Sequence, residues 1–188
     1  MSSRLLQFLS IVCVMLFVSA CASGPQAVMD FDHDYDFSRV KTIAIQPFDR
    51  TKVTSIAISD MQVDRINAAI TAELESKGYQ VIADTPAADL LLTWHLVTQD
   101  RTDVRTYDGM SYYNCWRCGP AVSDVSVRQY TEGTLIVDMI DPERTRSVWR
   151  SVIQSELKPQ PDADKAAARR KKAAELVFAG FPPEAASN

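Results

Sequence analysis

Three kinds of hydrophobic pattern succeed one another along the chain. Leu5 to Val18 is apolar almost throughout, interrupted only by Gln7 and Ser10, and shows no polar face. Thr42 to Phe48 is a short β-branched run stopped by Pro47 and Asp49, the pattern of a buried strand. Then Val63, Ile66, Ile70 and Leu74 recur at three- and four-residue spacing, which puts them on one stripe of a helix. Ser59 stands where the N-cap belongs, and Gln62, three residues on, completes a capping box. Lys77 falls in the last turn, where a cation complements the helix dipole, and Gly78 supplies the left-handed position beyond it. Tyr79 to Ala83 reads as a second strand, so strand, helix and strand form a right-handed βαβ unit with parallel strands.

The most apolar strand pattern is Asp89 to Val97. Leu90, Leu92, Trp94 and Leu96 share one face, Leu91, His95 and Val97 the other, which predicts a central strand covered on both sides near its start. Two further extended stretches, through Val104 and from Val122 to Tyr130, flank a loop rich in aromatics. Thr134 to Ile140, the turn Asp141-Pro142-Glu143-Arg144 and Ser147 to Leu157 form a hairpin, with Pro142 presetting φ at the second turn position. Trp149 and Ile153 are expected on one face of it, Val148 and Val152 on the other. A second helix is expected over Asp162 to Gly180, with Ala167, Ala174, Val177, Phe178 and Phe181 as its buried stripe. Gly180 and Pro182-Pro183 end it. The fold class is α/β or α+β: a mixed sheet of about five strands with one βαβ unit, an antiparallel hairpin and a C-terminal helix.

The first apolar run is too short for a bilayer span, which needs roughly 20 residues. With Arg4 before it and Val18-Ser19-Ala20-Cys21 after it, it reads as a lipoprotein signal peptide of residues 1–20, cut before a lipidated Cys21. Ala22 is not the aspartate associated with inner-membrane retention, so the expectation is an outer-membrane lipoprotein on the periplasmic side, membrane-bound through its N-terminal lipid. Residues 21–28 then form a tether, residues 29–185 a single globular domain and 186–188 a tail.

Charge narrows the partners. The chain carries 20 Lys and Arg against 24 Asp and Glu, a net −4, and loss of Arg4 with the signal makes the mature domain more acidic still. Nucleic acid, which demands a strongly positive face, is excluded. Of four cysteines, Cys13 leaves with the signal and Cys21 is lipidated, so Cys115 and Cys118 remain. In an oxidising compartment the pair is expected to form a local disulfide. The alternatives are a thiol-disulfide redox site, which lacks the strand-then-helix context that activates a thiol, and a zinc site, for which two ligands are too few.

Met110, Tyr112, Tyr113, Trp116 and Arg117 lie in the same loop, the residue types of a binding hot spot for an envelope protein or for peptidoglycan. The competing reading is that these rings cover the sheet. Arg169, Arg170, Lys171 and Lys172 form the one dense basic run, either a solvated helix face or a contact with anionic lipid. His95 is a structural histidine of an apolar strand or a base. Residues 30–37 alternate acid with aromatic or His, yet contain no glycine and carry Lys41 at position twelve, so they do not read as a calcium loop. Instead, Phe31, Tyr35 and Phe37 are expected to pin an extended segment while the aspartates face water. Asp124, Asp138 and Asp141 accompany no nucleophile motif, and Asp141 is most simply a turn residue. No catalytic set, metal site or cofactor is predicted.

The chain resembles a family of bacterial lipoproteins, the domain-of-unknown-function family 4136. Besides Cys21, the matching residues are Asp-Tyr-Asp-Phe-Ser-Arg at 34–39, Lys41-Thr42, Lys77-Gly78-Tyr79, Ala88-Asp89-Leu90 and Glu132-Gly133-Thr134-Leu135. Asp138, Asp141, Val148-Trp149-Arg150 and Phe181-Pro182-Pro183 complete them. More loosely, the strand–helix–strand–strand order is similar to small α/β domains of envelope assembly proteins, such as the N-terminal domain of the translocation protein TolB. The resemblance implies an envelope lipoprotein with no assigned activity and no catalytic residues to carry over. The expected function is a lipid-anchored, non-enzymatic binding or assembly-support domain, with a redox protein using Cys115 and Cys118 as the alternative.

Overall fold

The computed structural model describes residues 25–49, 58–107 and 124–183. In chain order they form β1 (Ala27–Phe31), β2 (Thr42–Ile45), α1 (Asp60–Ser76), β3 (Gln80–Val81), β4 (Leu90–Tyr107), β5 (Asp124–Asp141), β6 (Arg146–Glu156) and α2 (Ala163–Val177). The strands make one mixed sheet in the order β1-β6-β5-β4-β2-β3. As the βαβ pattern predicts, β2 lies parallel to β3, and also to β4, with Ile43 opposite Leu90. All other neighbours are antiparallel. Ala27 and Val28, read as the end of the tether, are already in β1, opposite Ile153 and Val152.

Helix α1 begins as its sequence dictates. Ser59 Oγ accepts from the Gln62 N–H at 3.3 Å, while Gln62 Oε1 accepts from the Ser59 N–H at 3.1 Å, so two otherwise orphaned donors are satisfied reciprocally. Gly78 follows at φ +91°, the left-handed turn that lets the chain enter β3. Helix α2 is capped by Asp162, whose Oδ1 accepts from the Lys165 N–H at 3.0 Å.

The helices pack on one face of the sheet. Val63, Ile70 and Leu74 of α1, Val177 of α2 and Phe178 at its C-cap meet Leu92, Trp94, Val137, Met139 and Trp149 in a single core. The Trp149 ring stacks on Phe178 with centroids 5.7 Å apart and meets Phe181 edge-on at 5.1 Å. The Trp94 indole N–H donates to Asn67 Oδ1 on α1 at 2.8 Å, so the buried indole keeps its hydrogen bond.

The structure corrects several sequence expectations. Cover lies on one side of β4 only: Leu90, Leu92 and Trp94 are buried under the helices, while Leu91 and His95 are half-buried and Val97 is 44% exposed. The two extended stretches beyond it are not separate strands but continuations of β4 and β5, each 18 residues long. Val148 and Trp149 do not alternate between faces. A bulge at Met139/Ile140 sets Met139 opposite Trp149 but Ile140 opposite Ser147, and both Val148 and Trp149 become 1% exposed. On α2 the inward stripe runs through Ala166, Arg170, Ala173, Ala174 and Val177, which rotates Ala167 out to solvent.

Candidate functional site

At one end of the sheet, the segment after β1, the loop before β4 and the β5–β6 turn converge around a cleft of about 440 Å³. The acidic residues here are placed by backbone donors. Asp141 Oδ1 accepts from the N–H groups of Glu143 at 2.7 Å and Arg144 at 3.0 Å, which shapes the turn as expected of an Asx residue. Asp89 Oδ2 accepts from the N–H groups of Lys41 and Thr42 and from the Thr42 hydroxyl, and these bonds, the backbone ones first, hold its carboxyl below the usual range. Asp36 Oδ1 accepts from the Ser38 hydroxyl and N–H and is likewise held low.

Phe37 is buried against Phe181, and Tyr35 packs edge-on to Phe37 at 4.8 Å, but the segment they pin is not extended. After Phe31 the chain turns, with the Tyr35 N–H donating to the Asp32 carbonyl, and closes a 3-10 turn at Phe37–Arg39. Asp30, Asp34 and Asp36 face water, but Asp32 does not stand free. Its Oδ2 lies 3.0 Å from Arg146 Nη2 and 3.6 Å from Arg144 Nη1, an ion-paired exception to the solvated reading. The Arg144 guanidinium also lies over the Tyr35 ring at 5.3 Å. Burial, then the Asp141 carboxylate, pushes the Tyr35 hydroxyl above its ordinary pKa.

The face of the sheet away from the helices carries a second cleft, of about 570 Å³, lined by Gln46, Phe48, Thr93, His95, Asp138 and Arg150 among others. Asp138 is 5% exposed, and its two oxygens accept from Arg150 Nε at 2.7 Å and Nη2 at 3.0 Å. Oδ1 also accepts from the Ser147 hydroxyl at 2.9 Å. This fork geometry raises the Arg150 pKa further, through the hydrogen bonds first and the charge second. The fork holds the Arg150 guanidinium at the edge of this cleft. His95 lines this cleft from β4. Among the described residues no group of three His, Cys, Asp or Glu could hold a metal ion.

At the opposite end, β4 and β5 run on together past the sheet. β6 stops pairing with β5 at Glu132, and β2 leaves β4 after Leu92, yet β4 and β5 stay in register to Tyr107 and Asp124. The result is a two-stranded ribbon. On one of its faces Val104 and Val127 stand opposite each other with Val125 beyond, and these are 57%, 59% and 53% exposed. On the other, Arg101 pairs with Glu132 at 3.1 Å, Arg105 with Asp103 at 3.0 Å and Arg128 with Glu156 at 2.6 Å.

The candidate loop residues Met110, Tyr112, Tyr113, Trp116 and Arg117 and the pair Cys115 and Cys118 belong to 108–123, outside the described residues, as does Cys21. The basic run does not lie on one face of α2: Arg169, Lys171 and Lys172 are exposed and Arg170 is half-buried. Arg169 donates to the Lys158 carbonyl at 3.2 Å and Lys171 lies 3.8 Å from Glu175, while Arg170 lines an apolar cavity beneath α2. Sequence reasoning singled out neither Arg170 for this role nor Asp32, Asp89, Arg144 and Arg146 as site residues. Asp89 and Arg150 were visible only as members of family motifs.

These features define a class: a one-faced α/β sandwich whose acidic residues Asp89 and Asp141 anchor a strand crossover and a turn. The chain belongs to the domain-of-unknown-function family DUF4136, whose model matches residues 27–183. A search of the curated proteins found no match. Among solved structures, the chain is similar to a PDZ domain protein from Parabacteroides distasonis, at 16% identity and a TM-score of 0.51 over 85% of this chain and 37% of that one. It thus spans little over a third of that protein, with which it shares the fold. A DUF4136 family protein from Bacteroides thetaiotaomicron matches at 19% identity and a TM-score of 0.48, over 84% of this chain and 94% of the other. The PelC dodecamer from Paraburkholderia phytofirmans matches at 9% identity and a TM-score of 0.45, over 82% and 97%.

Proposed function

We propose that this chain is a lipid-anchored envelope lipoprotein of the outer membrane, facing the periplasm, and that it works as a non-enzymatic binding domain for an envelope protein or peptidoglycan. The anchor is the Val18-Ser19-Ala20-Cys21 motif. From Cys21 to the start of β1 at Ala27 is six residues, at most about 20 Å of chain, so the domain is held close to the lipid surface.

One observation carries the binding half of the reading. The β4–β5 ribbon extends about 25 Å beyond the last residue of β6 pairing and offers solvent a valine face, and the sequence that joins its strands contains Met110, Tyr112, Tyr113, Trp116 and Arg117. Exposed apolar surface on a projecting ribbon, with aromatics and arginine following, has the composition of a docking element.

Two measurements test it. Cys21→Ser is expected to abolish metabolic labelling with palmitate and to move the protein out of the membrane fraction; unchanged labelling removes the anchor. A photo-crosslinking residue at Trp116 in living cells is expected to give one discrete protein or muropeptide adduct that is absent with the same residue at Lys165. Identical products at the two positions remove the docking role.

A further inference from the structure

We propose that the cavity between the two helices and the sheet binds the aliphatic part of an anionic amphiphile, with the Arg170 guanidinium at its mouth holding the carboxylate or phosphate head. The inference stands apart from the reading of Cys21 as an anchor.

The cavity measures about 170 Å³ and is walled by aliphatic side chains, Ile66 from α1, Leu96, Leu135 and Ile153 from the sheet and Val177 from α2. An apolar void of roughly 150 Å³ in a protein core stays dry and accepts a benzene-sized guest. The space exists because Ala69 and Ala173, which line it from the two helices, end at Cβ. Gly133 is part of the wall as well, and a Cβ there would lie 2.7 Å from Leu157, so Leu157 closes over the glycine at the edge of the cavity.

Arg170 is the one charged residue in this lining. Its neighbours in the basic run are engaged, Arg169 with a carbonyl and Lys171 with Glu175, whereas half-buried Arg170 has no ion pair among the described residues. A half-buried arginine that lines a carbon-walled pocket is complementary to a molecule that is anionic at one end and aliphatic at the other. The size of the pocket selects a short chain or the terminal segment of a longer one.

The test uses the full chain in nanodiscs of zwitterionic lipid, titrated calorimetrically with octanoate and with octanol. Saturable octanoate binding is expected, about tenfold or more tighter than octanol, in line with one charge-assisted hydrogen-bonded contact. Arg170→Gln should bring octanoate down to the octanol level without touching octanol, Arg170→Lys should restore part of the difference, and Ala173→Leu should abolish binding of both. Each variant is checked for an unchanged melting temperature; should Arg170→Gln melt early, the octanoate-to-octanol ratio of the parent and Arg170→Lys proteins decides. Equal affinity for acid and alcohol, indifference to Arg170→Gln, or no saturable binding by the folded parent protein overturns the proposal. Repeating the titration with anionic phospholipid in the disc assigns the source: competition supports an acyl chain drawn from the bilayer, and undiminished octanoate binding supports a free acid.

Discussion

Asp89 and Thr42 clamp each other across the parallel β2–β4 junction: Asp89 Oδ2 accepts from the Thr42 N–H at 2.8 Å and its hydroxyl at 2.9 Å, while the Thr42 carbonyl accepts from the Asp89 N–H at 3.1 Å. This reciprocal bonding joins the start of β2 to the entrance of β4. It ties the Lys41-Thr42 pair to the Ala88-Asp89-Leu90 triplet, with Thr42 and Asp89 47 residues apart in the chain.

Asp89→Ala should therefore destabilise the fold by about 1–2 kcal/mol, the loss of charge-assisted hydrogen bonds discounted for the exposure of the carboxylate. Asp89→Asn should cost less, because an amide oxygen still accepts. The sign of the pH effect follows from a folded-state pKa lowered below the unfolded value. The stabilisation is complete above the unfolded carboxylate range and is lost as pH falls through the folded pKa. Urea melts at neutral and acidic pH check this: the gap between parent and Asp89→Asn should narrow in acid, and a pH-independent gap contradicts it.

Breaking the Asp138–Arg150 fork should be asymmetric. Arg150→Ala leaves a 5%-exposed carboxylate whose remaining side-chain donor among the described residues is the Ser147 hydroxyl, at an expected cost of about 2–3 kcal/mol. The double variant Asp138→Ala/Arg150→Ala should be less destabilised than the two single losses added together. A thermodynamic cycle from chemical denaturation reads the coupling, and additivity within error would show that the pair does not interact.

Trp149 is 1% exposed and its Nε1 has no hydrogen-bond partner among the described residues, although its ring packs on Phe178 and Phe181. Trp149→Phe removes the unsatisfied donor along with some packing, so a loss of about 1 kcal/mol or less is expected, against 3–5 kcal/mol for Trp149→Ala. Equal melting temperatures for the two variants would contradict the assignment of the energy to ring packing.

At Gly78, φ is +91° and nothing lies within 4 Å of a Cβ built there. Gly78→Ala should cost about 1–2 kcal/mol purely through backbone strain, with no steric relief available from neighbouring side chains. Gly78→Asn should recover part of it, since asparagine tolerates the left-handed region better. Thermal melts of the two variants, ranked in that order, test the point.

Much of this architecture was legible in the chain because it depends on near neighbours. The capping box at Ser59 and Gln62, the glycine stop at Gly78, the turn-forming Asp141 and the Asp162 helix start each involve groups two to three residues apart or a single backbone angle. Periodicity likewise exposed the stripe from Val63 to Leu74, since any helix must bring those residues to one side.

What escaped the sequence depends on where elements end relative to one another. That β4 is covered on one face only follows from both helices packing on the same side, which apolar residues on either face of a strand do not disclose. The bulge that buries Val148 beside Trp149 is a property of two paired strands, and so is the continuation of β4 and β5 into a ribbon after β6 has stopped. The basic run shows the limit most directly. Four consecutive charges look alike in one dimension, but helical rotation carries Arg169 and Lys171 to solvent-side partners and Arg170 into the lining of a cavity. By itself the sequence determined the local geometry, the family motifs and the lipobox pattern; the tertiary structure decided which faces are covered and which charge meets an apolar space, because those depend on packing between segments far apart in the chain.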